Sequence, residues 1–141
     1  MTTLSQPLVS ILIRSMGRPE LNEALASVHA QTWGNIELLV VNASGNPHPP
    51  LATHTGVRLI DPAGPLSRSM AANRLLDEAK GEFLLFLDED DWLAPDHCQR
   101  LVETLQNATE HVLAYAGVDC IHESGSSQRH SIRIYDEEYD P

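Results

Sequence analysis

The chain has 141 residues, of which 42% are hydrophobic and 21% are charged, and this composition excludes a disordered or fibrous protein. Its length predicts one domain over residues 1–141 with a single core. A formal net charge of −11 argues against a nucleic-acid partner, because the protein would repel the phosphates.

Predicted strands and helices alternate along the first 107 residues. Short apolar runs predict four strands, at residues 8–13, 36–41, 57–60 and 83–87. Helical spacing of apolar residues predicts a first helix from Pro19 to Gln31. A second helix is predicted from an N-cap at Ser67 to Lys80, and Gly81 would close it in a left-handed conformation.

The C-terminal third predicts a helix followed by a hairpin. The helix begins at Pro95 and ends near Asn107, and two strands follow at residues 111–123 and 128–135. The alternation of strand and helix predicts an α/β, Rossmann-like fold, with helices on both faces of a mainly parallel sheet. The tail after residue 135 contains no closing element, so we expect the chain to stop short of a complete fold.

The cysteines and the hydropathy predict a cytoplasmic protein. Cys98 and Cys120, the two cysteines, lack the spacing of a zinc site, and a reducing compartment is the simpler interpretation. The longest apolar run near the N-terminus is far shorter than the roughly 20 residues needed to span a bilayer. We therefore expect no transmembrane segment.

Four consecutive acids, Asp88 to Asp91, directly follow the apolar run FLLFL. Ligands bind at the carboxyl ends of strands in open α/β sheets, so the acids lie at a site position. Asp88 and Asp90 are one residue apart and can face a hard cation together. One acid in such a loop more often caps the next helix, but four at close range need a compensating partner. We expect Trp92 to bury its ring beside this loop.

Three segments in this order resemble the nucleotide-sugar-binding part of the family 2 glycosyltransferases, which have the GT-A fold. The segments are VSILIRSMGRPELNEALASVHAQTW, IELLVVNASG and ANRLLDEAKGEFLLFLDEDDWLAPDH, and the resemblance covers residues 7 to 120. It implies an enzyme that transfers a sugar, with inversion, from a nucleotide-diphospho-sugar to an unknown acceptor. A UDP-sugar is the expected donor.

The acidic run matches the Asp-x-Asp motif, which in that family holds Mg²⁺ or Mn²⁺ against the donor diphosphate. The match implies that Asp88 and Asp90 bind the metal, with Asp90 the better candidate for direct ligation. Asp88 is also expected near the ribose, and Asp91 is a possible additional ligand. A cation at this position would neutralise the charge that builds on the leaving diphosphate.

The resemblance also implies nucleotide-binding residues, with departures from the family pattern. Ser15 keeps a hydroxyl near the nucleotide, and Asn42 stands where the family has a carboxylate that accepts a hydrogen bond from the base. Asn73 matches the family's central helix, while Ala72 occupies its arginine position. Three arginines are the expected diphosphate contacts instead, although arginines are more often solvated on a surface: Arg14, Arg18 and Arg68.

No motif assigns the catalytic base, which the family takes from a later half of the protein. Acids occur in that direction at Glu123 and at residues 136–138, without a matching pattern. A truncated or degenerate, non-catalytic nucleotide-binding or interaction module is therefore the alternative. A second copy of the chain is a further expected partner, since a homodimer would cover an exposed sheet edge or apolar face.

Overall fold

The computed structural model describes residues 6–51, 55–108, 110–124 and 128–135. Four strands form one sheet: β1 Val9–Ser15, β2 Ile36–Asn42, β3 Val57–Ile60 and β4 Phe83–Asp88. Three helices connect or follow them: α1 Leu21–His29, α2 Arg68–Glu78 and α3 His97–Asn107. A separate antiparallel pair contains β5 Val118–Ser124 and β6 Gln128–Tyr135.

The four-stranded sheet is parallel throughout, with the strand order β3-β2-β1-β4. On one face, Leu12 and Leu39 lie in the same core cluster as Ala71 and Leu75 of α2. The neighbouring β1 residues on the other face are also fully buried. Apolar side chains on both faces are typical of a parallel sheet between two layers of helices, and the predicted α/β class is confirmed.

Gly81 plays a different role from the predicted helix cap. The helix α2 ends at Glu78, and Ala79 after it is already extended, with φ −70° and ψ 140°. The described glycines with positive φ do not include Gly81. A Cβ atom added there would lie 2.6 Å from the backbone nitrogen of Ser10 and 2.8 Å from the carbonyl oxygen of Phe83. Glycine is required because two backbone segments meet at this point.

A polar group, the amino-edge network, joins the strands where β1 begins. Ser10 is fully buried, donates to the carboxylate of Glu37 and accepts from the backbone N–H of Gly81 at 2.7 Å. Glu37 also accepts from the backbone N–H of Lys80. Burial alone would raise the pKa of Glu37, but these hydrogen bonds and the charge of Arg58 hold it below its usual value of 4.5.

The predicted first strand of the hairpin begins later than expected. Residues 111–117 have no strand structure, and β5 starts at Val118. Val112 and Leu113 are 96% and 78% exposed, so no buried surface rewards an extended pairing there.

The chain divides into two compact units, Met1–Arg100 and Leu101–Pro141, and the boundary falls within α3. The first unit contains the parallel sheet and the second contains the hairpin. Because the chain divides into two units, the single domain over residues 1–141 stays a prediction. Among the described helices, none has the length and hydropathy needed to cross a membrane.

Candidate functional site

A cleft of about 300 Å³ opens at the carboxyl edge of the sheet, within the first unit. Its walls come from β1, the β1–α1 loop, α2 and the loop after β4. Leu12, Leu75 and Phe86 supply apolar surface. Five of the predicted site residues also line it: Arg14, Arg18, Arg68, Asp88 and Asp90. The structure thus brings together residues that lie up to 76 positions apart in the sequence.

Three carboxylates lie close together at the end of β4 and in the loop that follows it. Asp88, Asp90 and Asp91 each offer an oxygen, and these atoms all lie within 4.8 Å of one another. The backbone N–H of Asp91 donates to the carbonyl of Asp88 at 3.1 Å, and this turn holds the three residues together. Partial burial and the charges of Asp90 and Asp88 raise the pKa of Asp91. Mutually repelling oxygen donors fit a hard divalent cation such as Mg²⁺ or Mn²⁺.

The fourth acid, Glu89, points into the protein and is only 5% exposed. Both of its carboxylate oxygens accept from the backbone N–H of Met16, at 3.0 and 2.9 Å. Oε2 also accepts from the hydroxyl of Ser15 at 3.0 Å, and Oε1 lies 3.7 Å from Nε of Arg18. The Asp-x-Asp motif does not single out Glu89. Alternation of side chains at a strand end was the available signal, since the residue between two outward acids points the other way.

Ser15 lies beneath the cleft instead of lining it. It is fully buried, and its hydroxyl oxygen is 2.8 Å from Nε2 of His48. The backbone N–H of Gly17 also donates to this oxygen, at 2.9 Å. Gly17 in turn has φ +78°, and a Cβ there would be 3.2 Å from Cδ of Pro49. Ser15 therefore ties the β1–α1 loop to the loop after β2.

Asn42 is 2% exposed, and its side chain is saturated by contacts within the chain. Its Nδ2 donates to the carbonyl of Asn46 at 2.7 Å and to Asp61 at 2.8 Å. Its Oδ1 accepts from the backbone N–H and the hydroxyl of Ser44, at 3.1 and 2.8 Å. An amide has two donors and two acceptor lone pairs, so all are used. In this conformation Asn42 shapes the loop after β2.

The three arginines differ in their surroundings. Arg14 pairs in register with Asp88, and its buried Nε is without a hydrogen-bond partner in the part of the chain that the structure describes. Arg18 is 57% exposed and bridges Glu89 and Asp90, with its Nη1 3.6 Å from Oδ2 of Asp90. Arg68 is the first residue of α2 and is exposed to solvent.

Two further expectations have different outcomes. Asn73 is exposed on α2 and is absent from the residues that line the cleft, whereas Ala72 is among them. The expected burial of Trp92 is wrong, since its side chain is 41% exposed. The physical reason is that the segment after Asp91 runs along the surface of the first unit.

Fold and cleft together define a Rossmann-like α/β domain with its candidate ligand site at the carboxyl edge of the parallel strands. The chain belongs to glycosyl transferase family 2, whose model matches residues 10–140. The resemblance found in the sequence is confirmed.

Two relatives are longer than this chain. A protein of Bacillus subtilis (strain 168) named as a glycosyltransferase, EpsH, is 28% identical over 117 aligned positions, and the alignment covers 78% of this chain and 34% of EpsH. An uncharacterized glycosyltransferase of Rickettsia felis is 31% identical over 131 aligned positions, and the alignment covers 88% of this chain and 22% of that protein. The chain thus spans about a third or less of the length of these relatives.

Solved structures confirm the GT-A fold. The mannosyltransferase PcManGT from Pyrobaculum calidifontis, in complex with GDP-Man and Mn²⁺, has a TM-score of 0.66 and 22% identity; the match covers 85% of this chain and 37% of that one. TarS of S. aureus has a TM-score of 0.60 and 17% identity over 70% of this chain and 19% of that one. A shorter form of TarS, residues 1–349, has been solved in complex with UDP-GlcNAc.

Proposed function

We propose that this chain binds a nucleotide-diphospho-sugar with Mg²⁺ or Mn²⁺, as part of an enzyme that transfers the sugar to an acceptor with inversion. One observation carries the proposal: a single cleft brings Asp88 and Asp90 to the same place as three arginines. Carboxylates alone repel a diphosphate, and arginines alone attract it. A cation between the acids and the phosphates satisfies both groups.

We assign the cation to Asp90 and Asp88, with Asp91 as a further oxygen donor. The cation, when bound, supplies Lewis-acid stabilisation to the leaving diphosphate. The arginines at the cleft bind and orient the phosphates by charge-assisted hydrogen bonds. Arg14 supports this assignment, because its buried Nε is a donor with no partner among the described residues.

The nucleoside end of the donor is assigned from the sequence. We propose that Asp88 also contacts the ribose, as the motif match implies. Ser15 and Asn42 act on the nucleotide through the loops that they hold, since their hydrogen-bonding groups are engaged within the chain. Asn73 stays a predicted contact. A UDP-sugar is our proposed donor, and GDP is the comparison, because structural relatives bind GDP-Man and UDP-GlcNAc.

Calorimetric titration of UDP and of GDP, with and without Mn²⁺, tests this function. We expect binding that requires Mn²⁺ and that Asp90→Asn weakens by about tenfold or more. Asp77→Asn is the matched control, because Asp77 is an exposed acid of α2 that does not line the cleft. Absence of Mn²⁺-dependent binding of either nucleotide would remove the proposal.

A non-catalytic nucleotide-binding module is the second candidate. The saturated side chain of Asn42 favours it. Release of UDP from UDP-GlcNAc, or of GDP from GDP-mannose, in the presence of saccharide acceptors distinguishes the two. A folded chain that binds Mn²⁺ and nucleotide but releases none would be the module.

Two properties of the whole molecule are also proposals. We propose a cytoplasmic location because Cys98 and Cys120 are both free thiols. We propose a homodimer in which a second copy covers β4, the edge strand on which Leu84 is 50% exposed. Light scattering of the purified chain tests the dimer, and a monomer at micromolar concentration would contradict it.

A further inference from the structure

We propose that Glu89 is a positioning residue, which holds the metal-binding loop against the loop that carries Arg18. The inference rests on the proposed function and adds to it a residue that neither the motif nor the sequence analysis assigns. It begins from burial: Glu89 is 5% exposed, while Asp88, Asp90 and Asp91 beside it are exposed. A buried carboxylate is costly unless it is paired and hydrogen-bonded, so its partners identify what it holds.

The described partners of Glu89 lie at the end of β1, at Ser15, and in the β1–α1 loop. The backbone N–H of Met16 and the hydroxyl of Ser15 donate to it, at 2.9 to 3.0 Å. These residues are 73 and 74 positions away in the sequence. The bonds therefore close no local turn, and they join the carboxyl ends of two adjacent strands, β1 and β4.

Arg18 connects this buried contact to the cleft. Its Nε is 3.7 Å from Glu89, and its Nη1 is 3.6 Å from Asp90. Arg18 and Asp90 both line the cleft. The guanidinium of Arg18 thus faces two acids. The buried one, Glu89, orients it, and the exposed one, Asp90, is a candidate metal ligand. We expect a diphosphate held by the cation to meet Arg18 in this orientation.

The loop after β2 joins the same assembly through Ser15. The hydroxyl of Ser15 lies between Glu89 and His48, at 3.0 and 2.8 Å. Since a hydroxyl donates one proton, it can donate to only one of these groups at a time. Glu89 accepts the backbone N–H of Met16 in either case. When Ser15 donates to Glu89, the carboxylate joins the loop after β4 to the β1–α1 loop directly and to the loop after β2 through Ser15.

The test compares Glu89→Gln with Glu37→Gln by Mn²⁺-dependent titration of UDP and GDP and by thermal unfolding. Glu37 is the matched control, because it also pairs with a serine of β1 but lies at the opposite edge of the sheet. Both variants should lower the melting temperature. We expect only Glu89→Gln to weaken nucleotide binding, by about tenfold, as is usual when a group that orients metal ligands is changed.

Mn²⁺ alone and an Arg18→Gln background separate positioning from simple charge. We expect Glu89→Gln to reduce the affinity for Mn²⁺ alone less than the affinity for nucleotide with Mn²⁺, and to have a smaller effect when Arg18→Gln is present. Equal losses in both titrations, or equal losses in both backgrounds, would overturn the positioning role.

Other outcomes also test the inference and distinguish its failure from that of the proposed function. Unchanged nucleotide affinity in Glu89→Gln, or equal weakening in Glu37→Gln, overturns the inference and leaves the proposed function standing. A wild-type chain without Mn²⁺-dependent binding overturns both. If Glu89→Gln does not fold, Ser15→Ala takes its place, since it removes the hydroxyl that donates to Glu89, together with its contacts to His48 and Gly17, and keeps the charge of Glu89. A loss of about threefold would then support the role, and unchanged affinity would overturn it.

Discussion

A buried serine pairs with a glutamate at each end of β1, but the two pairs have different roles. At the amino edge, buried Ser10 bonds to Glu37, and the pair closes the junction of β1 with the backbone at Gly81. At the carboxyl edge, buried Ser15 bonds to Glu89. There the carboxylate holds loops whose other residues line a cleft. The same serine–glutamate hydrogen bond therefore stabilises the fold at one edge and organises a candidate site at the other, because different residues lie beside it.

The largest effect is expected at the amino edge, from Gly81→Ala. The added Cβ would lie 2.6 Å from the backbone nitrogen of Ser10. Neither β1 nor β4 can move away from it without breaking the sheet. We expect a loss of about 3 kcal/mol or more in the free energy of unfolding, measured by urea denaturation. Gly56→Ala is the control, because its site is open but has φ +76°, and it should cost only about 1–2 kcal/mol. Equal losses would contradict the steric explanation.

Ser10→Ala should have the next largest effect. It removes the donor to Glu37 and leaves the partly buried backbone N–H of Gly81 without its acceptor. The expected loss is about 2 kcal/mol in the free energy of unfolding. Nucleotide affinity of the folded protein should not change, because the cleft is at the other edge of the sheet. A weakened affinity would show that the two edges are coupled.

The pH dependence of the amino-edge network gives a smaller effect. Because the pKa of Glu37 is lowered by folding, its ionised form stabilises the fold above pH 4.5, and this contribution disappears as pH falls through the folded pKa. We expect the difference in stability between wild type and Glu37→Gln to be full at pH 7 and to shrink in acid. A difference that stays constant with pH would contradict the assigned hydrogen bonds.

Asp91→Asn should have the smallest effect on stability and the most informative sign. Partial burial and like charges raise the pKa of Asp91, so its ionised form destabilises the metal-free protein at neutral pH. We expect the substitution to stabilise the metal-free chain by a few tenths of a kcal/mol, since solvent screens the charges. The same substitution should weaken Mn²⁺ binding in calorimetry. Stabilisation without weaker binding would remove Asp91 from the metal site.

Elements with strong periodicity were predictable, and elements that depend on contacts were not. The four strands of the sheet and the three helices follow the predicted segments closely, since apolar spacing and the cap at Ser67 act locally. The first strand of the hairpin was placed too early, because Val112 and Leu113 are apolar yet exposed. Gly81 was assigned to a cap because its close contact, with Ser10, comes from a residue 71 positions away.

Composition, hydrophobic period and local order already specify the α/β class, the family and the position of four acids after a buried strand. Which of the acids face outward depends on the folded arrangement. Asp88, Asp90 and Asp91 converge on one another, while Glu89 turns inward to a loop more than 70 residues away. The tertiary structure also shows that the hydrogen-bonding groups of the Asn42 side chain all have partners. The Nε donor of Arg14 has none among the described residues. The physical reason is that hydrogen-bonding capacity is consumed by neighbours in space, which the order of residues does not specify.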